Sequence, residues 1–437
     1  MTPQSYLMVV APVAEGREPG LRALLETMNV PAQPGMADPY NTLLPFGAFE
    51  RVHFARFVVL EDHTLGDIAV HGLPLRNYPR HLVFMADCDG PSRELLAAMV
   101  RRAETGLRKI FSHCEGFDKS DESGDLLAWL CAHDVPVATS YVNWVGRTVL
   151  QIKEESALQR ALSARVPRAG MLSESDVQRV RRELIDYVND EVRAGRLSLT
   201  PPAATPWGWQ IKNALNAVAI PLIVVLTLPL TILLLPIVLI LLRHNEKTDA
   251  EFCPRPDPAA LQALKRLEDY DITNQFSALG SVKPGRFRRW LVAIVLLFAN
   301  YVCRHVANRG NLGRVQTIHF ARWVFIDNRR RLVFASSYDG SHESYMDDFV
   351  NKVAWGLNAT FSHGVAWPST DWLLKRGARR ELKFKYFQRR HHIPSQVWYK
   401  AYPGLALTDL KRNQQIREGL ERLSMSNAEA LAWLRLL

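Results

Sequence analysis

The stretch His319-Phe-Ala-Arg-Trp-Val-Phe-Ile326 decides the fold, because a near copy, His53-Phe-Ala-Arg-Phe-Val-Val-Leu60, stands earlier in the chain. Downstream of these octapeptides, residues 82–113 align without a gap on residues 332–363, with 11 identities in 32 positions. A third match pairs His133-Asp-Val-Pro136 with His391-His-Ile-Pro394. Three matches in the same order predict an internal duplication.

Both copies show the same order of predicted elements. The octapeptides and the Leu-Val-Phe segments that follow are rich in β-branched and aromatic residues, which is typical of strands. Residues 91–111 and 342–361 have the apolar spacing of helices. With a strand and a helix before them and a strand after them, each copy follows the order βαββαβ of a ferredoxin-like unit.

We therefore predict an α+β protein in which two ferredoxin-like repeats pack sheet against sheet and form one barrel, with an apolar membrane hairpin inserted between them. The predicted segments are residues 1–168 for repeat 1, 169–212 for a linker with an amphipathic helix, 213–245 for the hairpin and 246–437 for repeat 2.

Residues 217–242 form an apolar run of 26 residues without a charge. As one helix, this run would be about 39 Å long, enough to cross a bilayer. Two observations argue against a simple crossing. Prolines at positions 221, 229 and 236 interrupt the run, and each removes a helix hydrogen bond. In addition, two repeats that share a barrel must lie on the same side of a membrane. We expect a hairpin that turns near Pro229 and dips into one leaflet, with Trp207 and Trp209 at the interface. A buried hairpin in a soluble protein is the alternative.

The net charge of +10 belongs to the second half of the chain. Residues 219–437 contain 31 basic and 18 acidic side chains, whereas residues 1–218 contain 23 and 26. Arg286, Arg288 and Arg289 stand directly before a second apolar stretch. Since each basic residue beside a membrane gains about 1 kcal/mol from anionic headgroups, we predict anionic membrane lipids as partners. No nucleic-acid module is recognisable, and we expect no binding to nucleic acid.

The expected location is the cytoplasmic face of a membrane, with monotopic attachment. Five cysteines without a C-x-x-C pair favour a reducing compartment. The first residues lack the basic and apolar regions of a signal peptide, and none is expected. The apolar hairpin also leaves open a homo-oligomer.

Polar residues inside the repeated strand are the first candidates for chemistry. Alternation places His319 and Arg322 on opposite faces of a strand that looks buried on both. A buried arginine needs an acceptor, and we expect Asp339, and Asp89 for Arg56, to supply it. Such a pair would either tie the strand to the following turn or line a cavity that handles a polar or peroxidic group.

Two further histidine positions are open to more than one interpretation. His113 and His363 each end a helix, where the helix dipole favours a histidine, but either would also suit a metal or haem. The pair His391-His392 follows two arginines and predicts a solvated basic loop. Motifs of serine hydrolases, nucleotide-binding loops and zinc peptidases do not occur, so these functions have no support.

The double βαββαβ pattern resembles the dimeric α+β barrel superfamily, and within it the dye-decolourising peroxidases and chlorite-dismutase-like haem proteins. The G-x-x-D-G motif of the peroxidases falls on residues 86–90 or 336–340, where alanine and serine replace the first glycine. The resemblance implies haem, a distal acid at Asp89 or Asp339, and an axial ligand at His319 or His363. It also implies a distal arginine at Arg322, and Arg56 is its counterpart in the first copy.

Two functions follow as expectations. The first is a membrane-anchored, peroxidase-like oxidoreductase, with or without haem, that acts on a lipophilic substrate entering from the bilayer. The second is a non-catalytic, membrane-associated binding or scaffold protein.

Overall fold

The computed structural model describes residues 1–117, 125–166, 174–307, 310 and 312–437. Its strands are β1 (Gln4–Pro12), β2 (Val52–Leu60), β3 (His81–Asp89), β4 (Thr139–Val142), β5 (Thr273–Ser281), β6 (Ile318–Ile326), β7 (Arg331–Asp339), β8 (Thr370–Asp371), β9 (Lys375–Arg376) and β10 (Val397–Lys400). Its helices are α1 (Glu18–Glu26), α2 (Ser92–Phe111), α3 (Leu126–Ala132), α4 (Val149–Ser163), α5 (Glu174–Arg193), α6 (Trp207–Thr248), α7 (Pro258–Lys265), α8 (Arg286–His305), α9 (His342–Lys352), α10 (Ala354–Phe361), α11 (Glu381–His391), α12 (Leu407–Glu421) and α13 (Asn427–Leu434).

Two antiparallel four-stranded sheets exchange their edge strands. The first sheet has the order β1-β3-β2-β10, and the second has the order β5-β7-β6-β4. Strand β10, near the end of the chain, pairs with β2, where Tyr399 lies opposite Ala55. Strand β4, from the first half of the chain, pairs with β6, where Tyr141 lies opposite Ala321. Each half of the chain therefore completes the sheet of the other half.

The α+β class is confirmed, but the prediction of one closed barrel is wrong for the described residues, whose long strands form two separate sheets. The segment before β4 meets β1 at a single bridge, Val9 with Asp134, and the segment before β10 meets β5 at Ala278 with His392. A proline follows each bridge, at positions 136 and 394. Because proline has no N–H to donate, the pairing stops there and the chain crosses to the other sheet.

The ferredoxin-like duplication stays a prediction, as do the four predicted segments. The boundary between residues 168 and 169 lies outside the described residues.

The core is layered, with the two sheets in the middle. All nine residues of β2 and of β3 are buried, because helices cover one face and the second sheet covers the other. Phe57 and Phe84 stack on the helix side, with ring centroids 4.7 Å apart, near Phe111 of α2. Aliphatic side chains fill the space between the sheets; they include Met8, Val58, Val83, Met85, Leu279, Val324 and Val333.

The apolar run belongs to α6, a single helix of 42 residues that contains all three prolines. The predicted hairpin with a turn near Pro229 is therefore wrong. A proline inside a helix leaves the carbonyl four residues earlier without its usual donor. For Pro221 that carbonyl is Ala217, and the Tyr301 hydroxyl of α8 donates to it at 3.2 Å. The side chain of Thr227 likewise bonds back to the Ile223 carbonyl, so it does not expose a free donor.

Both ends of α6 are fixed to α8. Asn213 accepts a hydrogen bond from Arg304 at 2.7 Å, and Asp249, directly after α6, binds Arg288 at 2.5 Å. A straight helix would separate Asn213 from Asp249 by about 54 Å, whereas Arg288 and Arg304 are about 24 Å apart along α8. The two side-chain contacts span at most roughly 12 Å each by covalent geometry. The distance along α8 and the two side-chain contacts together are shorter than the 54 Å of a straight helix. Helix α6 is therefore curved, and we call it the α6 arch.

Candidate functional sites

The repeated histidine and aspartate of each half form a buried pair. His53 Nε2 lies 3.0 Å from Asp89 Oδ1, and His319 Nε2 lies 2.7 Å from Asp339 Oδ1. The second oxygen of Asp89 accepts the first backbone N–H of α4 at 2.9 Å, and that of Asp339 accepts the first N–H of α12 at 2.7 Å. A carboxylate at a helix N-terminus is favoured by the exposed N–H groups and the helix dipole. Both acids thus join a strand to the start of a helix.

Arg322 lies between the sheets and does not bind Asp339, so the predicted pairing is wrong. Its guanidinium contacts the Asp87 carboxylate and donates to the Leu7 carbonyl at 2.9 Å and the Ala86 carbonyl at 3.3 Å. The alternation of β6 turns Arg322 toward the facing sheet, whereas the aspartate at the end of β7 is already held by His319.

Arg56, on β2 of the first sheet, reaches across to β5 and β7 of the second sheet. It does not bind Asp89, so this predicted pairing is also wrong. It donates to the Phe276 carbonyl at 3.1 Å, the Ser336 carbonyl at 3.1 Å and the Ser337 hydroxyl at 2.8 Å. Position 337 is the counterpart of position 87, so a serine replaces the aspartate that neutralises Arg322. Burial lowers the pKa of Arg56 to about 9, against the attraction of the more distant Asp87. The two arginines thus serve as cross-sheet ties.

The described residues near the two predicted axial ligands do not fit haem. The cavity beside His319 holds about 20 Å³, and His319 already binds Asp339 through Nε2. His363 is 1% exposed, and the cavity beside it holds about 30 Å³. Sites for drug-sized ligands are roughly 300–1,000 Å³, and haem is at least as large.

His363 lies in a buried, positively charged environment. Burial, with a smaller contribution from the nearby charges of Arg288 and Lys283, lowers its pKa to about 3. His363 is therefore neutral at ordinary pH.

A cluster of Glu268, His342 and His392 was missed by the sequence analysis. Their ligand atoms all lie within 4.8 Å of one another. Glu268 follows α7, His342 begins α9 and His392 directly follows α11. Because the three residues are far apart in the sequence, no short spacing motif could have predicted the cluster. The prediction of a solvated loop at His391-His392 is wrong, because the two side chains are 3% and 6% exposed.

The residues predicted to contact a membrane lie in different environments. Trp207 is 77% exposed at the start of α6, and Trp209 is half-buried with the Arg304 guanidinium 5.8 Å from its ring. Pro229 is exposed in the middle of the α6 arch. Arg288 is 1% exposed and binds Asp249, so it is not placed to meet headgroups.

Arg286 and Arg289 belong to an arginine cleft at the start of α8. The cleft consists of two adjoining depressions of about 270 and 260 Å³ that share Arg289. Its arginines are Arg76, Arg286, Arg289, Arg329 and Arg330. None of the five forms an ion pair with a residue that the structure describes. Arg329 lies over the exposed Trp290 ring at 5.2 Å, so an aromatic side chain borders the charge.

Comparison with known proteins gives no relative. The chain matches no protein-family model, and no curated protein or solved structure resembles it significantly. The resemblance to dye-decolourising peroxidases and chlorite-dismutase-like proteins therefore stays a prediction from the sequence pattern.

The two cross-sheet arginines should differ in their effect on stability. Arg322→Leu leaves the Asp87 carboxylate buried without its partner, and we expect a loss of about 3–5 kcal/mol in the free energy of unfolding. Arg56→Leu leaves neutral acceptors, and we expect about 1–3 kcal/mol. Urea unfolding in detergent measures both. Adding Asp87→Leu to Arg322→Leu should recover part of the loss, and equal losses for the two single variants would contradict the assignment.

Stability should fall in acid partly because of His363. The pKa of His363 is about 6.5 in the unfolded chain and about 3 in the folded chain, so the unfolded chain binds one more proton between these values. Its contribution to stability is complete above pH about 6.5 and is lost as the pH falls toward about 3. In urea unfolding across this window, His363→Gln should reduce the slope by about 1.4 kcal/mol per pH unit. An unchanged slope would rule out the assignment.

Proposed function

We propose that this protein is a monotopic membrane protein whose α6 arch inserts into one leaflet, while the two sheets stay in the aqueous phase beside it. The observation that carries the proposal is the pair of contacts that fix both ends of α6, whose exposed middle part carries no charge, to α8. A helix that starts and ends on the same protein surface enters and leaves a bilayer on the same side.

The middle of α6 presents a long, contiguous, exposed apolar surface. Of the residues at positions 217–242, Leu242 is buried and most of the others are exposed, with Leu226 and Leu233 each at 70%. By length and composition α6 is able to span a membrane. Large apolar patches mark sites of contact with proteins or membranes. Moving each such side chain out of water contributes on the order of 1–2 kcal/mol.

A bilayer is the occupant that fits this surface best, because residues 217–242 of α6 carry no charged side chain on any face of the helix. A helix that lies at the interface has one polar face, and a helix with no polar face belongs in hydrocarbon or in a protein core. Helix α8 adds a second apolar strip beside the arch. Its exposed residues follow helical spacing: Trp290, Ile294, Leu297, Phe298 and Val302.

The arginine cleft supports anionic lipid as the component that orients the protein. It lies at the start of α8, next to the point where Arg288 holds the end of the α6 arch. Phosphate headgroups of lipids that surround the arch would come within reach of its unpaired guanidinium groups. Each arginine near an anionic surface adds about 1 kcal/mol.

For the activity of the sheet domain, the geometry favours the non-catalytic interpretation. The four candidate catalytic side chains are engaged in structural contacts, with Arg56 and Arg322 between the sheets and Asp89 and Asp339 at helix starts. A peroxidase-like activity on a lipophilic substrate stays a prediction of the sequence alone.

Co-sedimentation with lipid vesicles tests the membrane proposal. We expect the full chain to bind vesicles that contain phosphatidylserine. Leu226→Glu with Leu233→Glu places two charges in the middle of the α6 arch, at a cost of about 2–3 kcal/mol each in hydrocarbon, and should abolish sedimentation. Leu423→Glu, at a fully exposed position far from α6 in sequence, is the matched control and should leave it unchanged.

Arg286→Glu with Arg289→Glu should weaken binding to anionic vesicles about tenfold or more and leave binding to neutral vesicles unaffected. Should the leucine double variant sediment as well as the wild type, the α6 arch is not the membrane anchor and the proposal fails.

A further inference from the structure

We infer that Glu268, His342 and His392 form a binding site for one divalent first-row transition metal ion, such as Zn²⁺ or Fe²⁺. The site is separate from the membrane-facing surface, and nothing in the proposed membrane attachment requires it. Two imidazoles and one carboxylate form a common ligand set for both ions.

The distances suit one shared ion. His342 Nδ1 lies 3.9 Å and His392 Nδ1 lies 3.3 Å from Glu268 Oε1. Donor atoms that each lie 2.0–2.2 Å from a common ion are roughly 3–4.4 Å apart. All three sets of ligand atoms lie within 4.8 Å of one another, so side-chain rotations would bring them onto one ion.

The two histidines are buried, with His342 1% exposed and His392 6% exposed. Apart from the 3.3 Å contact between His392 Nδ1 and Glu268, their ring nitrogens have no hydrogen-bond partner among the described residues. Leaving a buried polar atom unpaired costs about 1–3 kcal/mol. The rings are nearly parallel, with an interplanar angle of 7° and centroids 5.5 Å apart, and Phe276 packs against both. This packing fixes their orientation toward Glu268.

Arg389 positions the carboxylate and is not a ligand. Its guanidinium donates to both oxygens of Glu268, at 2.6 and 2.8 Å, and to Glu343 at 2.8 Å. A carboxylate has about four acceptor positions, so Glu268 keeps lone pairs for an ion. Outer partners of this kind orient the ligands of metal sites. Three protein ligands leave at least one coordination position open.

Metal binding to the full, untagged chain in detergent tests the site, after treatment with a chelator. We expect one Zn²⁺ per chain by isothermal titration calorimetry. His342→Gln and His392→Gln should each weaken binding at least 100-fold and remove the rise in the unfolding temperature that Zn²⁺ gives the wild type. His133→Gln changes a half-buried histidine outside the cluster and should bind as the wild type does.

X-ray absorption of the wild-type zinc complex provides a test that does not depend on how the variants fold. The spectrum should show two imidazole ligands and no sulfur. Absence of stoichiometric binding, a spectrum without imidazole, or undiminished affinity in both histidine variants would each overturn the inference. Vesicle binding by the metal-free chain should be unchanged, because the two surfaces are independent.

Discussion

The exchange of edge strands between the two halves is the constraint on which the other features depend. Strand β4 completes the second sheet and β10 completes the first, so the halves share a core and lie side by side. Whatever connects them must begin and end beside that core. The connection includes α6, which is the most apolar segment of the chain. The two requirements together explain a long helix with an uncharged middle part that curves and returns to α8.

The proposed membrane attachment rests on the same constraint. Both ends of the arch are held by Arg288 and Arg304 of α8, so an arch that enters a bilayer would enter and leave it on the same side. The arginine cleft lies at one of these ends, and α8 contributes its own exposed apolar strip. The positive balance of the second half of the chain is therefore partly concentrated where lipid headgroups would be.

Some of this organisation was predictable from sequence and some was not. Repeated octapeptides and the Leu-Val-Phe segments predicted β2, β3, β6 and β7, because buried strands are rich in β-branched and aromatic residues. The exchange of β4 and β10 was not predictable, since each is four residues long and nothing local specifies its partner. The hairpin was predicted from three prolines, but carbonyls freed by proline can find other donors, as Ala217 does with Tyr301.

The residue types in the repeated strands predicted which polar side chains are buried, but they did not predict which partners those side chains bind. Buried arginines and aspartates in the repeats were found, yet their partners were wrong, because Arg322 reaches across to the other sheet for Asp87. The cluster of Glu268, His342 and His392 was missed for a different reason. Its members come from three elements separated by 50 or more residues, and only the folded chain brings them together.

A distance measurement across α6 tests the central claim most directly. Spin labels at Gln210 and Lys247, in a chain with the two half-buried cysteines Cys131 and Cys253 replaced by serine, can be measured by double electron–electron resonance in lipid nanodiscs. A straight helix would place these positions about 55 Å apart. If α6 is curved, the distance distribution in nanodiscs should be centred below about 50 Å. In a separate test in sealed vesicles, ascorbate added to one side should reduce both labels. A distance near 55 Å, with only one label accessible, would contradict it and indicate a helix that crosses the bilayer.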